Sequence, residues 1–396
     1  MTARVGRLLA AAALAVIGVG MAESGALHTD LSKALIPVDE IVSGGPSPDG
    51  IPAIDRPRFV EPGAADAWLK PKEPVLALEV NGDARAYPLQ ILMWHEIVND
   101  TVQGRAVAVT YCPLCNSGLV FDRTVDGVRL DFGTSGKLYK SDLLMYDRQS
   151  HSLWTQIEGR AVVGERAGTR LAPVPANTIA YEDWKAAYPG GKVLSRDTGH
   201  VRSYGRTPYA SYDHPDSFPF LLRGDPDRRR SPKERVVGVV IEQAARAYPW
   251  PILAKEGVVH DTVGGQPLVI FYRPGALSAL DEAEMHRSRA IGATAVFSPV
   301  VAGKMLTFEI APDGFRDRPT GSLWNVVGHG VRGPLAGKRL RAIVHIDVGR
   351  LPSGHQHLRR FATPLEALAA VLGGIRARRH LGDGTGSHWE FIHVRV

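Results

Sequence analysis

Cysteine occurs at only two positions in the 396 residues, and they sit three apart in Cys112-Pro-Leu-Cys115. Two thiols at that spacing can bite one metal ion, exchange with a disulfide, or close a short static staple. For metal binding, His95 would complete a Cys₂His set with one position left open. Soft sulfur ligands favour copper or zinc over magnesium or calcium. Weaker candidates for a further ligand are His151, Asp147 and Glu96. Each has an ordinary alternative: His95 as a hydrogen-bonded core histidine, and Asp147-Arg148 as an ion pair or turn. The lack of a second Cys-x-x-Cys argues against a structural zinc ribbon. Thiol–disulfide exchange needs an activated first thiol, usually at a helix N-terminus. Here Asn116-Ser-Gly118 leads into an apolar, strand-like run instead. A static disulfide would make the protein a non-catalytic binding or scaffold protein; closing so few residues, it would stabilise only modestly.

Other chemistry is poorly represented. The sequence contains no Gly-x-Ser-x-Gly elbow, no Walker A loop and no His-Glu-x-x-His motif, and no nucleotide cofactor is expected. Gly133-Thr-Ser-Gly136 could cradle an anion, but such runs more often form hairpin turns. Forty-seven basic against 41 acidic residues give a net charge of +6, too mixed a surface to argue for nucleic acid. The basic runs at 228–230 and 376–379 read as solvated linker and tail. The partner is therefore expected to be a metal ion or an unknown small molecule.

The elements that must position the cysteines recur along the chain. Arg85-Ala-Tyr-Pro88 returns as Arg246-Ala-Tyr-Pro249, 161 residues later. The same displacement carries Asn99-Asp-Thr-Val102 onto His260-Asp-Thr-Val263, and Ser152-Leu-Trp154 matches Ser322-Leu-Trp324. Two diverged copies of one β-rich unit, packed together, explain this pattern. Positions kept in both copies report on the fold, whereas positions present in one copy are candidates for function. The displacement of 161 puts Arg273 and Ala276 at the cysteine positions and Glu256 at that of His95, so thiols and histidine are absent together.

Composition, 44% hydrophobic and 22% charged, is globular. Alternation and turn residues predict a mainly β protein with a few helices, of α+β class. Strands are expected over 75–80, 84–87, 97–102, 105–111, 119–123 and 128–133, with turns at Asn81-Gly82, Gln103-Gly104 and Asp126-Gly127. Helices are expected over 89–96, opened by Pro88, over 181–188, and over 364–372. The strand over 105–111 delivers Cys112 at its end, where side chains converge without ladder partners.

Arg4 and Arg7 followed by an apolar run of about 14 residues ending near Ala22 have the form of a secretory signal. The protein is thus expected to be exported, periplasmic or extracellular, with membrane contact only if residues 1–22 are retained. An extension over 23–70 precedes the first unit, 71–195. An irregular linker over 196–234, whose Tyr204, Tyr209 and Tyr212 should pack it down, joins the degenerate second unit, 235–347. A divergent basic tail over 348–396 ends the chain.

Val109-Thr-Tyr-Cys-Pro-Leu-Cys115, Leu119-Val-Phe-Asp-Arg123, Ser141-Asp-Leu-Leu-Met-Tyr-Asp-Arg148 and Leu194-Ser-Arg-Asp-Thr-Gly199 together resemble an exported prokaryotic family known as domain of unknown function 3179. The resemblance covers about residues 35 to 346. It implies export but brings no activity. The tail departs from the aromatic-rich ending the resemblance leads one to expect.

Overall fold

Asn81-Gly82 closes a hairpin as its residue types demand. Both have positive φ, 49° and 87°, as a two-residue type I′ turn requires. Pro74–Val80 and Asp83–Pro88 therefore pair antiparallel, with Val80 opposite Asp83. The same device recurs at Gln103-Gly104 and Asp126-Gly127. This is a computed structural model, which describes residues 26–222, 230–242 and 244–348. The expected signal over 1–22, the helix over 364–372, most of the basic run at 228–230 and all but the first residue of the tail lie outside the described residues.

Among the described residues the protein is mainly β, with four short α-helices. Before the linker there are three main sheets. One runs Ala176–Ala180, Pro74–Val80, Asp83–Pro88, Lys192–Leu194, Phe59–Val60. A second runs Ala172–Val174, Ser117–Asp122, Arg105–Cys112, Ile97–Val102, and a third runs Ile41–Ser43, Phe132–Tyr139, Asp142–Asp147, Leu153–Thr155, Arg160–Val163. After the linker the same orders appear with fewer edge strands. They are His345–Val348, Val236–Ile241, Ala244–Pro249; then Arg341–Ala342, Ala293–Ser298, Gln266–Arg273, Val258–Val263; and Phe308–Ala311, Gly314–Asp317, Leu323–Trp324, Gly330–Arg332.

Matching residues make matching bonds. Asp100 accepts from Arg85 (2.6 Å) and Tyr87 (2.7 Å), while Asp261 accepts from Arg246 (2.8 Å) and Tyr248 (2.7 Å). Trp154 Nε1 donates to Asp147 and Trp324 Nε1 to Asp317, each at 2.8 Å. These pairs tie one strand to another through charge-assisted bonds, buried at the tryptophans and part-buried at Arg85 and Arg246, which accounts for Arg-Ala-Tyr-Pro and Ser-Leu-Trp occurring twice.

The two sets of sheets share their cores. Val75, Ile179 and Trp184 pack in one cluster with Phe271, Phe297 and Trp324, and Cys112, Phe121 and Trp154 pack in another with Val236 and Ile346. Packing is also reciprocal: Ala176–Ala180 lies against Ala293–Ser298, and His345–Val348 lies against Ser117–Asp122.

Three local expectations change. The strand expected over 128–133 is split, because Val128–Arg129 turns back on Thr124–Val125 and a new strand starts at Phe132. Arg123 enforces the break by donating to Leu130 O and to Asp131, which pulls those residues off the ladder. Pro88 caps the helix Leu89–His95 instead of opening it, since its ψ of 129° is extended. Gly133-Thr-Ser-Gly136 lies in the strand Phe132–Tyr139 at a bulge, and its glycines are covered. A Cβ on Gly136 would stand 1.9 Å from Pro46 O, so the 46–49 segment occupies any anion cradle there.

Candidate metal centre

Arg105–Cys112 is a buried, β-branched central strand that ends at Cys112 in the interior. Pro113 and Leu114 form the turn, Asn116 completes it with a positive φ of 50°, and Ser117–Asp122 returns as a strand with Ser117 opposite Cys112. The element that follows Cys115 is the strand Ser117–Asp122, so the motif does not open a helix. Both cysteines are buried thiols, 1% and 2% exposed, and no disulfide joins them.

The third member of the site comes from a different sheet. The strand Asp142–Asp147 begins after the turn Lys140-Ser141, where both residues have positive φ (49° and 63°) although neither is glycine. That turn aims Ser141 O and the Asp142 carboxylate at Cys115, whose Sγ lies 3.3 Å from Asp142 Oδ1 and 3.5 Å from Ser141 O, two alternative acceptors for its one proton. Ile157 N–H holds the other oxygen, Asp142 Oδ2, at 3.2 Å. One ligand atom from each of Cys112, Cys115 and Asp142 lies within 4.8 Å of the others, and all three residues are buried. Among the described residues this is the one such group of His, Cys, Asp and Glu side chains.

His95 is not in it. Its ring is fully buried at the end of the helix Leu89–His95, with Nδ1 2.7 Å from Pro52 O and Nε2 2.6 Å from the Tyr204 hydroxyl. A neutral ring satisfies both contacts, donating to Pro52 and accepting from Tyr204. Burial, reinforced by His200 and Arg202, lowers its pKa to about 4. His95 thus ties the 52 segment and the linker to the helix.

Asp147 and His151 are also placed elsewhere. Asp147 is fully buried, takes Trp154 Nε1 and the backbone and hydroxyl of Ser150, and repeats the role of Asp317. His151 Nδ1 accepts from His28 N at 3.0 Å, and the two rings stack. It holds the 28–29 segment, since Thr29 Oγ1 also donates to His151 O at 2.7 Å.

Glu96 lies beside the strand that carries Cys112, its carbonyl accepting from Tyr111 N–H at 2.8 Å. It ends the helix in the left-handed region, φ 57°, where the second set of sheets places Gly257 at φ 66°. A long side chain there is unusual. Burial alone pushes its carboxyl up to about 8. Burial raises the Tyr209 hydroxyl as well, with smaller contributions from Glu96 and Cys112.

The linker covers the turn. Tyr212 OH donates to Leu114 O (3.3 Å), Phe220 N–H to Tyr212 OH (3.2 Å), and Ser141 Oγ to Phe220 O (2.7 Å). On the other side, Tyr111 OH donates to Asn116 Oδ1, and Asn116 Nδ2 and Arg235 Nε face a small cavity without hydrogen-bond partners.

A family model described as protein of unknown function (DUF3179) matches residues 48–348, most of the chain and all of this site. The chain belongs to the DUF3179 family. No curated protein and no solved structure matches it. For this DUF3179 chain the chemistry of the site has to be argued from the residues themselves.

Asp142 was missed by spacing because it is 27 residues from Cys115 and reaches it only through the pairing of two sheets. A signal was nonetheless present: Asp142 stands inside Ser141-Asp-Leu-Leu-Met-Tyr-Asp-Arg148, one of the motifs that carries the family resemblance.

Proposed function

We propose that this chain binds one transition-metal ion, zinc or copper, through Cys112 Sγ, Cys115 Sγ and one carboxylate oxygen of Asp142. The observation that carries the proposal is the 4.8 Å cluster of three buried ligand atoms drawn from two sheets. Tetrahedral coordination at a metal–sulfur distance of about 2.3 Å spaces two thiolates by about 3.8 Å, so the pair needs little closure to bind. A hard carboxylate oxygen beside two soft sulfurs favours zinc over cuprous copper. The fourth position would be left to water or a substrate, as in zinc sites that do chemistry.

Binding displaces two thiol protons. The Cys115 thiol stands 3.3 Å from Asp142 Oδ1, so metal binding is coupled to proton release beside that carboxylate. A redox dithiol is less well supported, because a strand follows Cys115 where an activating helix would be needed. The sequence of residues 1–22 supports a place outside the cytoplasm, and the recurrence of sheet order supports descent of the two sets of sheets from one unit.

Metal titration under reducing conditions tests the proposal. The intact chain should take up one equivalent of zinc or cobalt, and Cys112→Ser and Cys115→Ser should each abolish uptake while the circular dichroism spectrum is kept. Stoichiometric uptake by the double substitution would remove the proposal.

A further inference from the structure

Gln156 is fully buried and spends every polar atom of its side chain beside the sulfur turn. Its Nε2 donates to Thr110 Oγ1 at 2.9 Å and to Ser117 O at 3.3 Å, and its Oε1 accepts from Ser117 Oγ at 3.0 Å. Thr110 Oγ1 in turn donates to Leu119 O at 2.9 Å. All three residues are fully buried. Ser117 is the ladder partner of Cys112, so the network pins the two strands on either side of the turn. Gln156 is also the chain neighbour of Ile157, whose N–H holds Asp142 Oδ2. One short segment therefore fixes both the sulfur turn and the carboxylate, although they belong to different sheets.

The second set of sheets shows that the fold does not require this network. Phe271 occupies the ladder position of Thr110: Ile97 faces Thr110, and Val258 faces Phe271. Ala293 occupies that of Ser117, facing Arg273 as Ser117 faces Cys112. Val326 stands two residues beyond Trp324, as Gln156 stands two beyond Trp154. Phe271, Ala293 and Val326 are buried together in one apolar cluster. Where the cysteines are missing, the same site in the fold is filled with hydrocarbon. A buried polar network adds little net stability over such a filling, so its presence only beside the thiols points to their geometry.

We propose that Gln156, through Thr110 and Ser117, is a positioning residue that fixes Cys112, Cys115 and Asp142 in register with one another. This rests on the reading of those three residues as a ligand set. Groups that orient ligands typically account for 10- to 100-fold in metal affinity. The test is the apolar triple substitution Thr110→Val, Ser117→Ala, Gln156→Met, which leaves none of the three side chains unpaired, with Gln156→Met alone as a second variant.

Cobalt titration should show affinity reduced about 10- to 100-fold in the triple variant, with a thermal midpoint in the metal-free state close to that of the parent. A folded variant, triple or single, that binds cobalt as tightly as the parent overturns the proposal. If the parent itself takes up no metal, the ligand-set reading fails, and the positioning role is then read from the Cys112–Cys115 couple. Substitution should shift the dithiol–disulfide equilibrium at least tenfold, about 30 mV for two electrons. An unchanged potential would overturn it on that side too.

Discussion

Cys115 Sγ stands 3.3 Å from Asp142 Oδ1, a contact between residues 27 apart in sequence that joins two sheets inside the protein. Two features of the chain converge on it: a central strand that ends in a tight turn, and a hairpin whose two turn residues have positive φ without glycine. Backbone conformations of that kind persist where surrounding structure holds them, and here the neighbouring carbonyl and carboxylate both serve the thiol.

Asp142→Asn keeps the size and one acceptor for Ile157 N–H but removes the anionic ligand. Metal affinity should fall on the order of 100-fold with little change in fold, measured by competition against a chromogenic chelator. Unchanged affinity would take Asp142 out of the ligand set.

Asp147→Ala should have the opposite profile. It leaves the buried Trp154 Nε1 and the Ser150 backbone N–H without their acceptor, so it should cost on the order of 3 kcal/mol in denaturant unfolding while metal stoichiometry stays at one. Asp317→Ala, which disrupts the matching arrangement, should cost a similar amount. Loss of metal from a folded Asp147→Ala protein would restore that residue as a ligand.

Glu96 and His95 give pH dependences of opposite sign. Glu96 has a folded pKa of about 8, raised from 4.5, so it holds a proton that the unfolded chain releases. Its contribution to stability is therefore present below about pH 4.5 and is lost as pH rises towards 8. His95 has a folded pKa of about 4, lowered from 6.5, so its contribution is present above about pH 6.5 and is lost as pH falls towards 4. Thermal melts of the metal-free protein should show that Glu96→Gln removes part of the decline between pH 5 and 8. Parallel pH profiles for parent and variant would contradict the assignment to Glu96.

The linker strap sets access to the thiols. Ser141→Ala removes one bond to Phe220, and Tyr212→Phe removes both the bond to Leu114 O and the one from Phe220 N–H. At about 1 kcal/mol per bond, Ser141→Ala should speed reaction of the thiols with a small alkylating reagent about fivefold and Tyr212→Phe by more. Equal rates in parent and both variants would mean that opening occurs elsewhere.

The hairpins were legible because Asn-Gly, Gln-Gly and Asp-Gly turns declare their geometry locally, and Arg85, Asp100 and Trp154 were marked as structural by recurring 161 or 170 residues later. The sulfur turn was legible for the same reason, being the part that does not recur. The rest depended on long-range placement. His95 lies only 17 residues before Cys112, but the helix turns its ring towards Pro52 and Tyr204. Asp142 is farther off in sequence and is brought in by sheet packing that no local pattern encodes.

The most direct test of the central claim is X-ray absorption at the zinc edge of protein loaded with one equivalent of zinc. The account predicts two sulfur neighbours at about 2.3 Å and oxygen neighbours at about 2.0–2.2 Å, with no imidazole scattering. A shell containing histidine, or fewer than two sulfurs, would contradict it.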